Sequence, residues 1–344
     1  MSAATTSVRV VVVEYDGAGA LPRCIDSLTR TVTPDTPISI LDNHSPAPAE
    51  SLLPDKLKNR VEIVRLEKNI GYAGAIAYAW FRYDEDYIVI ANNDLEFTPG
   101  WLDALVKMAN DHNAHAVSAV IEGKNEPELQ KSTNSSLSPL LYLIPGVFKN
   151  RTKAVYPSGA CFLLTKDTNL PHPPVDPDYF LYYEDVYIGF FLRSLGKTVI
   201  QCPDARVRHA GSHSVKKSNP NRIAFLQERN RWTTQILFFD IASLLDFAPL
   251  TNLDWLFKIP QCWIRRKPVF ATLAAHWWVW FHIRSILQKK ASLRKLPDFD
   301  PRRILDYLTA QVVPPDWPCA GFINSMSEWW LKVRNMPVGK EAGE

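Results

Sequence analysis

The sequence predicts an α/β fold with a mostly parallel central sheet and a helical C-terminal extension. Short apolar runs rich in β-branched residues are typical of strands buried on both faces. Segments with helical spacing separate these runs, and this alternation indicates a parallel sheet covered by helices on both sides. From Ile223 onward the pattern is helical. With 344 residues, 46% hydrophobic and 22% charged, the chain has a globular composition.

Four strands and the helices between them are predicted in the first 110 residues. The predicted strands are Val8 to Val13, Ile38 to Leu41, Val61 to Leu66 and Tyr87 to Ala91, and the helices start at Leu21, within residues 46–59, near Asn69 and at Pro99. Farther along, we predict a long loop over residues 122–153, a strand over 157–164 and a helix from Tyr179 to Arg193. Two domains are expected, a sheet domain over residues 1–214 and a helical region over residues 215–344.

Polar side chains follow the predicted strands. Tyr15 and Asp16 come after the first strand, Asp42 after the second, Asn69-Ile-Gly71-Tyr-Ala-Gly74 after the third, and Asn92-Asn93-Asp94 after the fourth. The carboxyl ends of parallel strands line one crevice, where open α/β sheets bind their ligands. We therefore expect these groups to converge, although the same residue types are also ordinary turn formers.

Three acidic residues and one histidine are candidates for the chemistry. A carboxylate directly after a buried strand, as at Asp94, can hold a divalent cation against a substrate phosphate. The imidazole of His209 can complete such a site. Glu184 and Asp185 are adjacent carboxylates at a helix N-terminus, where the helix dipole favours the anion that accepts a proton from a hydroxyl group. Each of these residues, taken alone, also fits an ordinary structural role.

Charge is unevenly distributed along the chain. Residues 1–214 hold 20 Lys+Arg and 25 Asp+Glu, a net charge of −5, whereas residues 215–344 hold 19 and 11, a net charge of +8. Nine of the 11 Trp residues also lie in the second part. A basic, Trp-rich segment favours contact with a membrane surface or another anionic partner. Nucleic-acid binding is not expected, because the sheet part is acidic.

The apolar, aromatic segment Pro268–Ile283 has basic residues at both ends. Its 16 residues fall short of the roughly 20 needed to span a bilayer. An interfacial or re-entrant helix and a helix buried within the protein are the two interpretations. The five cysteines are widely spaced and the N-terminus lacks a signal-peptide pattern. We expect a cytoplasmic location, peripheral on the inner face of the cell membrane.

An ordered set of motifs runs through the chain. They are Asp42-Asn43-x-Ser45, Asn69-x-Gly71-Tyr-Ala-Gly74, Asn92-Asn93-Asp94, Gly159, Phe180-x-Tyr182-x-Glu184-Asp185, His209 and Arg229-Asn230. Over about residues 8–235 this order resembles the family 2 glycosyltransferases of the GT-A fold. Within that family it is most similar to the rhamnosyltransferase-type enzymes of bacterial polysaccharide assembly. The resemblance implies a Rossmann-like GT-A sheet.

The resemblance also implies a role for each matched residue. Asp42 would contact the base or ribose of a nucleotide-sugar, and the turn from Asn69 through Gly71 to Gly74 would close over the nucleoside. The remaining donor-binding positions would be Tyr15, Asp16, Asn92, Asn93 and Gly159. Asp94 would be the carboxylate that binds Mg²⁺ or Mn²⁺, with Asn92 in place of the first acid of an Asp-x-Asp motif, and His209 would ligate the metal or the diphosphate. Asp185 would be the general base, with Glu184 shaping the acceptor site.

The implied reaction is an inverting transfer of a sugar such as rhamnose from a dTDP, UDP or GDP donor. The acceptor would be a glycan or a lipid-linked molecule at the cytoplasmic membrane face, in cell-surface polysaccharide synthesis. The chain departs from the family at Tyr15-Asp16, where a Tyr-Asn pair is usual.

Two other classes of protein stay open. A sugar-phosphate nucleotidyltransferase would be expected to carry a Gly-rich, basic phosphate loop where Glu14-Tyr15-Asp16-Gly17 stands. A non-catalytic GT-A scaffold of a polysaccharide-assembly complex would need none of Asp94, Asp185 and His209.

Overall fold

The computed structural model describes two units of the chain separately. The described residues are 6–123, 126–129, 135–167, 170, 172–209, 219–264, 268–317 and 319–339. The first unit takes in residues 1–130, 156–188 and 198–217, and the second takes in residues 131–155, 189–197 and 218–344. The predicted domain boundary between residues 214 and 215 lies outside the described residues.

The first unit is built on one mixed sheet that is mostly parallel, as predicted. The strands of the chain are β1 (Val8–Glu14), β2 (Ile38–Asp42), β3 (Glu62–Arg65), β4 (Tyr87–Asn92), β5 (Leu95–Phe97), β6 (Ala114–Gly123), β7 (Glu126–Leu129), β8 (Ser136–Leu137), β9 (Leu143–Ile144), β10 (Cys161–Thr165) and β11 (Thr198–His209). The order in the sheet is β3-β2-β1-β4-β10-β6-β11-β5, with β7 paired to β6. Strands β3, β2, β1 and β4 run parallel, as do β6 and β11, whereas β10 runs antiparallel to both of its neighbours.

Helices flank this sheet and make up most of the second unit. They are α1 (Leu21–Thr31), α2 (Ala49–Leu52), α3 (Asp55–Lys58), α4 (Gly71–Arg82), α5 (Trp101–Asp111), α6 (Glu184–Ser194), α7 (Pro220–Phe238), α8 (Ile241–Ile264), α9 (Val269–Phe281), α10 (Ile283–Leu293) and α11 (Ala320–Val333), with 3₁₀ turns at Pro177–Tyr179 and Pro301–Tyr307. The predicted helical C-terminal extension is therefore present. Among the described residues, no helix combines the length and the hydropathy that crossing a membrane requires.

The core of the first unit follows directly from the apolar runs. Val10 and Val12 of β1 and Val89 of β4 are fully buried, because these strands have helices on both faces. The residues Leu21, Ile25 and Leu28 recur at helical spacing in α1 and are also fully buried. The period of the sequence thus fixes which face of each element packs inward.

Strand register brings the polar ends of the strands together. Glu14 lies opposite Asp42, Asp42 lies opposite Arg65, and Val13 lies opposite Asn92. Because the four strands are parallel, their carboxyl ends lie at the same edge of the sheet. The expected convergence of polar residues at this edge is observed.

The structure differs from the sequence-based prediction at several elements, including the unpredicted short strands β5 and β7. Strand β6 was not predicted, and it lies in the middle of the sheet between β10 and β11. The predicted loop over residues 122–153 contains the short hairpin of β8 and β9. The helix expected from Tyr179 begins only at Glu184, because Phe180, Tyr182 and Tyr183 have positive φ angles that no right-handed helix can contain.

Charged side chains are buried inside the second unit. Arg231 of α7 is 2% exposed and pairs with Glu228 at 2.7 Å and with Asp254 at 3.2 Å. Lys258 pairs with Glu228 at 3.0 Å, and the Tyr142 hydroxyl donates to Asp254 at 2.8 Å. Two cations and two carboxylates therefore neutralise one another in the interior, as buried charges must.

The Arg229-Asn230 pair lies on α7 beside this cluster. Arg229 Nε donates to Asn230 Oδ1 at 2.8 Å, and its guanidinium lies 5.1 Å from the ring centroid of Trp278 on α9. Asn230 is 1% exposed. The pair therefore contributes to packing between helices of the second unit.

Candidate active site

Glu14 organises the turn that follows the first strand. It is fully buried, and its carboxylate accepts from the backbone N–H of Gly17 at 2.7 Å and from Asn93 Nδ2 at 2.6 Å. A Cβ on Gly17 would lie only 2.2 Å from Asn93 Nδ2, so no side chain fits there. Burial raises the pKa of Glu14 above its ordinary value, although these hydrogen bonds oppose the shift. Glu14 thus ties the end of β1 to the residue that precedes Asp94.

Asp42 is held on both carboxylate oxygens. Oδ1 accepts from Ser45 N at 2.7 Å, and Oδ2 accepts from Ala49 N at 3.0 Å and from Arg65 Nη1 at 2.5 Å. The aspartate is fully buried. These contacts fix the loop after β2, and the predicted contact of Asp42 with a base or ribose stays a prediction.

The turn between β3 and α4 is fixed by two asparagines. Asn43 Nδ2 donates to the carbonyl of Gly71 at 3.1 Å, and Asn43 Oδ1 accepts from Ile70 N at 2.9 Å. Asn69 Oδ1 accepts from Gly71 N at 2.8 Å. Gly71 has a φ of +76°, and a Cβ there would lie 2.3 Å from the carbonyl oxygen of Phe180. The motif glycine is therefore required both by its backbone angle and by the close approach of the 180–183 segment.

Gly71→Ala is expected to lower the free energy of unfolding by more than the cost of placing an alanine at a positive φ angle. The matched control is Gly100→Ala, whose φ is +79° and whose Cβ would meet nothing within 4 Å. The control measures the backbone cost, about 1–2 kcal/mol. The clash with Phe180 adds to that cost in Gly71→Ala. Urea unfolding of both variants tests this, and equal losses would contradict the packing described here.

The segment before α6 is strained. Phe180, Tyr182 and Tyr183 have φ angles of +63°, +69° and +65°. Leu181 N donates to the carbonyl of Tyr179 at 2.7 Å, which closes a γ-turn with positive φ around Phe180. Such conformations cost about 1–3 kcal/mol each and concentrate at functional sites. The strain lies immediately before Glu184 and Asp185.

Tyr72 connects the glycine turn to the acidic pair. Its hydroxyl donates to the carbonyl of Gly159 at 2.7 Å. The N–H of Gly159 in turn donates to the carboxylate of Asp185, and a Cβ on Gly159 would lie 3.1 Å from Asp185 Oδ2. Burial raises the pKa of Tyr72 well above its ordinary value, and Glu184, Asp185 and Asp94 add to the shift. The negative charges of these three carboxylates therefore disfavour ionisation of the Tyr72 hydroxyl.

Glu184 and Asp185 have different environments in the first turn of α6. Glu184 is buried, and its Oε2 has no hydrogen-bond partner among the described residues. Asp185 is half-buried, and its Oδ1 accepts from Val186 N at 2.8 Å. Burial raises the pKa of Glu184 to about 8 and that of Asp185 to about 6. Burial therefore opposes ionisation of both carboxyl groups, and the more accessible Asp185 is the better candidate to accept a proton.

Asp94 and His209 lie together where β4 and β11 end. Asp94 Oδ2 is 3.5 Å from His209 Nε2, and Asp94 is buried. Two neighbouring ligands of one octahedral cation lie roughly 3 Å apart, so this pair fits Mg²⁺ or Mn²⁺. No group of three or more candidate ligands occurs in the part of the chain that the structure describes. Substrate phosphates and water would have to supply the other ligands, as is usual for Mg²⁺.

Residues 9–169 match the family model described as glycosyl transferase family 2. The chain is a glycosyltransferase that is similar to family 2 over this range, just under half of its length. It is 25% identical over 252 residues to N-acetylglucosaminyl-diphospho-decaprenol L-rhamnosyltransferase of Mycobacterium tuberculosis, a match that covers 64% of this chain and 81% of the relative. The predicted likeness to rhamnosyltransferase-type enzymes is thus confirmed.

Solved glycosyltransferase structures share the fold of this glycosyltransferase. TarS 1–349 of S. aureus in complex with UDP has a TM-score of 0.52 at 12% identity, covering 98% of this chain and 92% of that one. The mannosyltransferase PcManGT of Pyrobaculum calidifontis, in complex with GDP-Man and Mn²⁺, has a TM-score of 0.52 at 13% identity over 83% and 84%. GalNAc-T7 with UDP, GalNAc and Mn²⁺ has a TM-score of 0.56 at 16% identity over 70% of this chain, which spans half of that structure's length. These likenesses confirm the predicted GT-A fold.

The structure brings most of the predicted residues of the glycosyltransferase to one edge of the sheet. Hydrogen bonds link Asn93 to Glu14, and Gly159 to both Tyr72 and Asp185. Gly74 packs against the side chain of Ile70, where a Cβ would be 3.0 Å away. The carbonyl of Asn92 accepts from Cys24 Sγ at 3.6 Å, whereas Tyr15 is 43% exposed and Asp16 has a φ of +52°. The roles of these residues stay predictions.

Two contributors to this edge were missing from the predicted site residues, namely Glu14 and the hydroxyl of Tyr72. The sequence could have predicted a buried partner for Glu14, because a carboxylate at the end of an apolar buried strand needs a hydrogen-bond partner in the interior. Tyr72 stood within a predicted motif, but nothing local in the sequence indicates that its hydroxyl reaches Gly159.

Proposed function

We propose that this glycosyltransferase transfers a sugar, with inversion, from a nucleoside-diphosphate donor to an acceptor hydroxyl at the edge formed by Asp94 and Asp185. The observation that carries the proposal is the position of Asp185. Its carboxylate is held by backbone N–H groups of Gly159 and Val186 and remains partly exposed. Ala160, which follows Gly159, accepts a backbone hydrogen bond from Asn92 at 2.9 Å, beside the turn that carries Asp94. A carboxylate that is fixed and partly exposed supports the role of a base that takes a proton from an acceptor hydroxyl.

The chemical step is a single displacement at the anomeric carbon. The acceptor oxygen forms a bond to that carbon, the bond from the carbon to the diphosphate oxygen breaks, and the nucleoside diphosphate leaves with the electron pair. Asp185 takes the proton of the acceptor hydroxyl. Because attack and departure occur on opposite sides, the configuration inverts and no covalent sugar–enzyme intermediate forms. Glu184, which is buried beside the base, shapes the acceptor side.

Asp94 and His209 would hold Mg²⁺ or Mn²⁺ against the diphosphate. The cation supplies neutralisation of the negative charge that grows on the leaving group. Asn93, fixed by Glu14, sets the position of the chain immediately before Asp94. We expect the Asn69–Gly74 turn, Asp42 and the Tyr15-Asp16 pair to contact the nucleoside, and Asn92 and Gly159 to line the donor site.

For the substrates, we propose rhamnose as the sugar and a lipid-linked glycan at the cytoplasmic membrane face as the acceptor. The support is the name of the mycobacterial relative, an L-rhamnosyltransferase acting on a diphospho-decaprenol acceptor. The nucleotide of the donor would be dTDP, UDP or GDP. A role in cell-surface polysaccharide synthesis and a peripheral cytoplasmic location belong to the same proposal.

Asp94→Ala is expected to remove metal-dependent binding of the donor nucleotide. Calorimetry of the full chain with UDP, dTDP and GDP, with and without Mn²⁺, should show one nucleotide bound more tightly in the presence of the metal. Because the variant loses a direct ligand, its affinity in Mn²⁺ should fall by roughly 10–100-fold or more.

The matched control is Asp103→Ala, which removes an exposed carboxylate from the first turn of α5. Its nucleotide affinity should equal that of the wild type. Failure of the wild type to bind any of the three nucleotides would overturn the proposed reaction and favour a non-catalytic scaffold. Equal binding by Asp94→Ala would refute the assigned metal site only.

A further inference from the structure

Helix α8 exposes a stripe that is apolar except at Asn252. Its residues recur every three or four positions along one side of the helix and are Ile241, Leu245, Pro249, Asn252, Leu256, Pro260 and Trp263. None of these seven residues is charged, and Trp263 is 82% exposed. The water-facing stripe of a helix is normally polar. This stripe is mostly apolar, which indicates that another surface covers it.

Helix α9 exposes an aromatic face of the same kind. Phe270, Trp277, Trp280 and Phe281 are 87%, 63%, 70% and 76% exposed, and we call these four residues the aromatic face. The opposite side of α9 packs inward through Thr272, Ala275 and Val279. The interpretation of Pro268–Ile283 as a fully buried helix is therefore wrong, whereas the interpretation as an interfacial helix stays a prediction.

The charge of the surrounding sequence indicates what covers these faces. Residues 255–295 contain nine Lys+Arg and no Asp or Glu. One of the nine, Lys258, pairs with Glu228 in the interior, whereas Arg284 is exposed just after α9. A partner must therefore accept large aromatic side chains and also be anionic. A second copy of the chain would bring the same cations against themselves, which like-charge repulsion opposes.

The two prolines in α8 favour the headgroup region of a lipid bilayer over its hydrocarbon core. Pro249 and Pro260 have no N–H, so the carbonyls of Leu245 and Leu256 lose their helical donors. Leu245 and Leu256 belong to the exposed stripe. Carbonyls without partners are costly in hydrocarbon but are readily solvated by water and lipid headgroups. The stripe therefore suits the interface of a bilayer and not its core.

We propose that α8 and α9 dock on an anionic phospholipid surface, with the α8 stripe and the aromatic face inserted at the level of the headgroups. Trp and Phe anchor an interfacial helix through their apolar area, and Lys and Arg add attraction to anionic headgroups. This docking does not depend on the sugar-transfer reaction, so it can be tested without donor or acceptor.

The test is flotation of the full-length protein with vesicles of phosphatidylglycerol and phosphatidylcholine in equal amounts, compared with pure phosphatidylcholine. The wild type should bind the anionic vesicles, and added salt should weaken that binding. Trp277→Ala combined with Trp280→Ala should weaken it by at least about tenfold, because each aromatic loses the area that it buries in the interface. Phe270→Ala should also weaken it, whereas the matched control Phe81→Ala, 72% exposed on α4, should not.

Each alternative outcome is decisive. Absence of binding to anionic vesicles, or equal binding by wild type and the double Trp variant, would overturn the proposal. Equal binding to pure phosphatidylcholine would overturn its anionic component. Concentration-dependent dimerisation in solution that the double Trp variant abolishes, without vesicle binding, would assign the faces to a second copy of the chain. Circular dichroism and nucleotide calorimetry of each variant separate a folding defect or a failure of the proposed reaction from a loss of docking.

Discussion

Asp185→Asn is expected to lower the rate of sugar transfer by about 10²–10⁴-fold, the contribution that a positioned general base typically makes. Asparagine keeps the shape of the side chain and can still accept hydrogen bonds from Gly159 and Val186, but it cannot take a proton. The measurement is release of nucleoside diphosphate in the presence of a lipid-linked acceptor. Donor binding should change little, so the loss should appear in kcat. A loss smaller than tenfold would remove Asp185 from the role of base.

The pH profile gives this prediction a second readout. The base must be ionised, and burial raises the pKa of Asp185 to about 6, so kcat should fall as pH falls through about 6. The comparison variant is Glu184→Gln, which removes the neighbouring carboxyl group while keeping its shape. The fall of kcat at low pH should persist in Glu184→Gln, because burial of Asp185 itself is the main cause of its raised pKa. Loss of this fall in that variant would assign the titration to Glu184.

Arg231→Met is expected to lower the free energy of unfolding by about 3–5 kcal/mol, the usual cost of breaking a buried ion pair on one side. Arg231 pairs with Glu228 and Asp254 and donates to the carbonyl of Leu140 at 2.8 Å. Methionine preserves much of the packing volume but leaves negative charge buried with less compensation. Urea denaturation followed by tryptophan fluorescence measures the loss.

The matched control is Arg82→Met, which breaks the pair of Arg82 with Glu62, whose side chains are 40% and 38% exposed. Water screens that pair, so its loss should cost less than about 1 kcal/mol. Equal effects of the two substitutions would contradict the buried cluster.

The stability difference between wild type and Arg231→Met should also depend on pH. Burial alone would raise the pKa of Glu228, but the charges of Arg231 and Lys258 hold it well below its usual range. The ionised Glu228 therefore stabilises the wild type above about pH 4.5, its ordinary value, and that stabilisation is lost as pH falls toward the lowered pKa. The two proteins should accordingly converge in stability below about pH 4.5.

The sequence by itself determined the parallel strands, the flanking helices and the edge where polar residues meet. The period of hydrophobic residues is a local property, so it predicts secondary structure without knowledge of the tertiary contacts. The run from Val8 to Val13 predicted strand β1 correctly, and the turn Asn92-Asn93-Asp94 lies at the end of β4 as expected. The role of Asp94 as a cation ligand stays a prediction. The family was also recoverable, because its motifs occur in a fixed order along the chain.

Local pattern failed where neighbours override it. Strand β6 escaped prediction although it lies in the middle of the sheet. The helix predicted from Tyr179 starts five residues later, because the 180–183 segment is held with positive φ against Gly71. A single sequence carries no sign of that strain, since aromatic residues do not favour such angles.

Only the tertiary structure decided which distant groups act together. Glu14 meets Asn93 across 79 residues of chain, and the Tyr72 hydroxyl meets Gly159 across 87. Strand order and helix packing fix these pairs, and neither is encoded in spacing along the chain. The same holds for the burial of Glu184 and the partial exposure of Asp185, which adjacent positions in the sequence do not reveal. The physical reason is that desolvation and hydrogen bonding depend on what surrounds a side chain in space, whereas sequence pattern reports only what precedes and follows it.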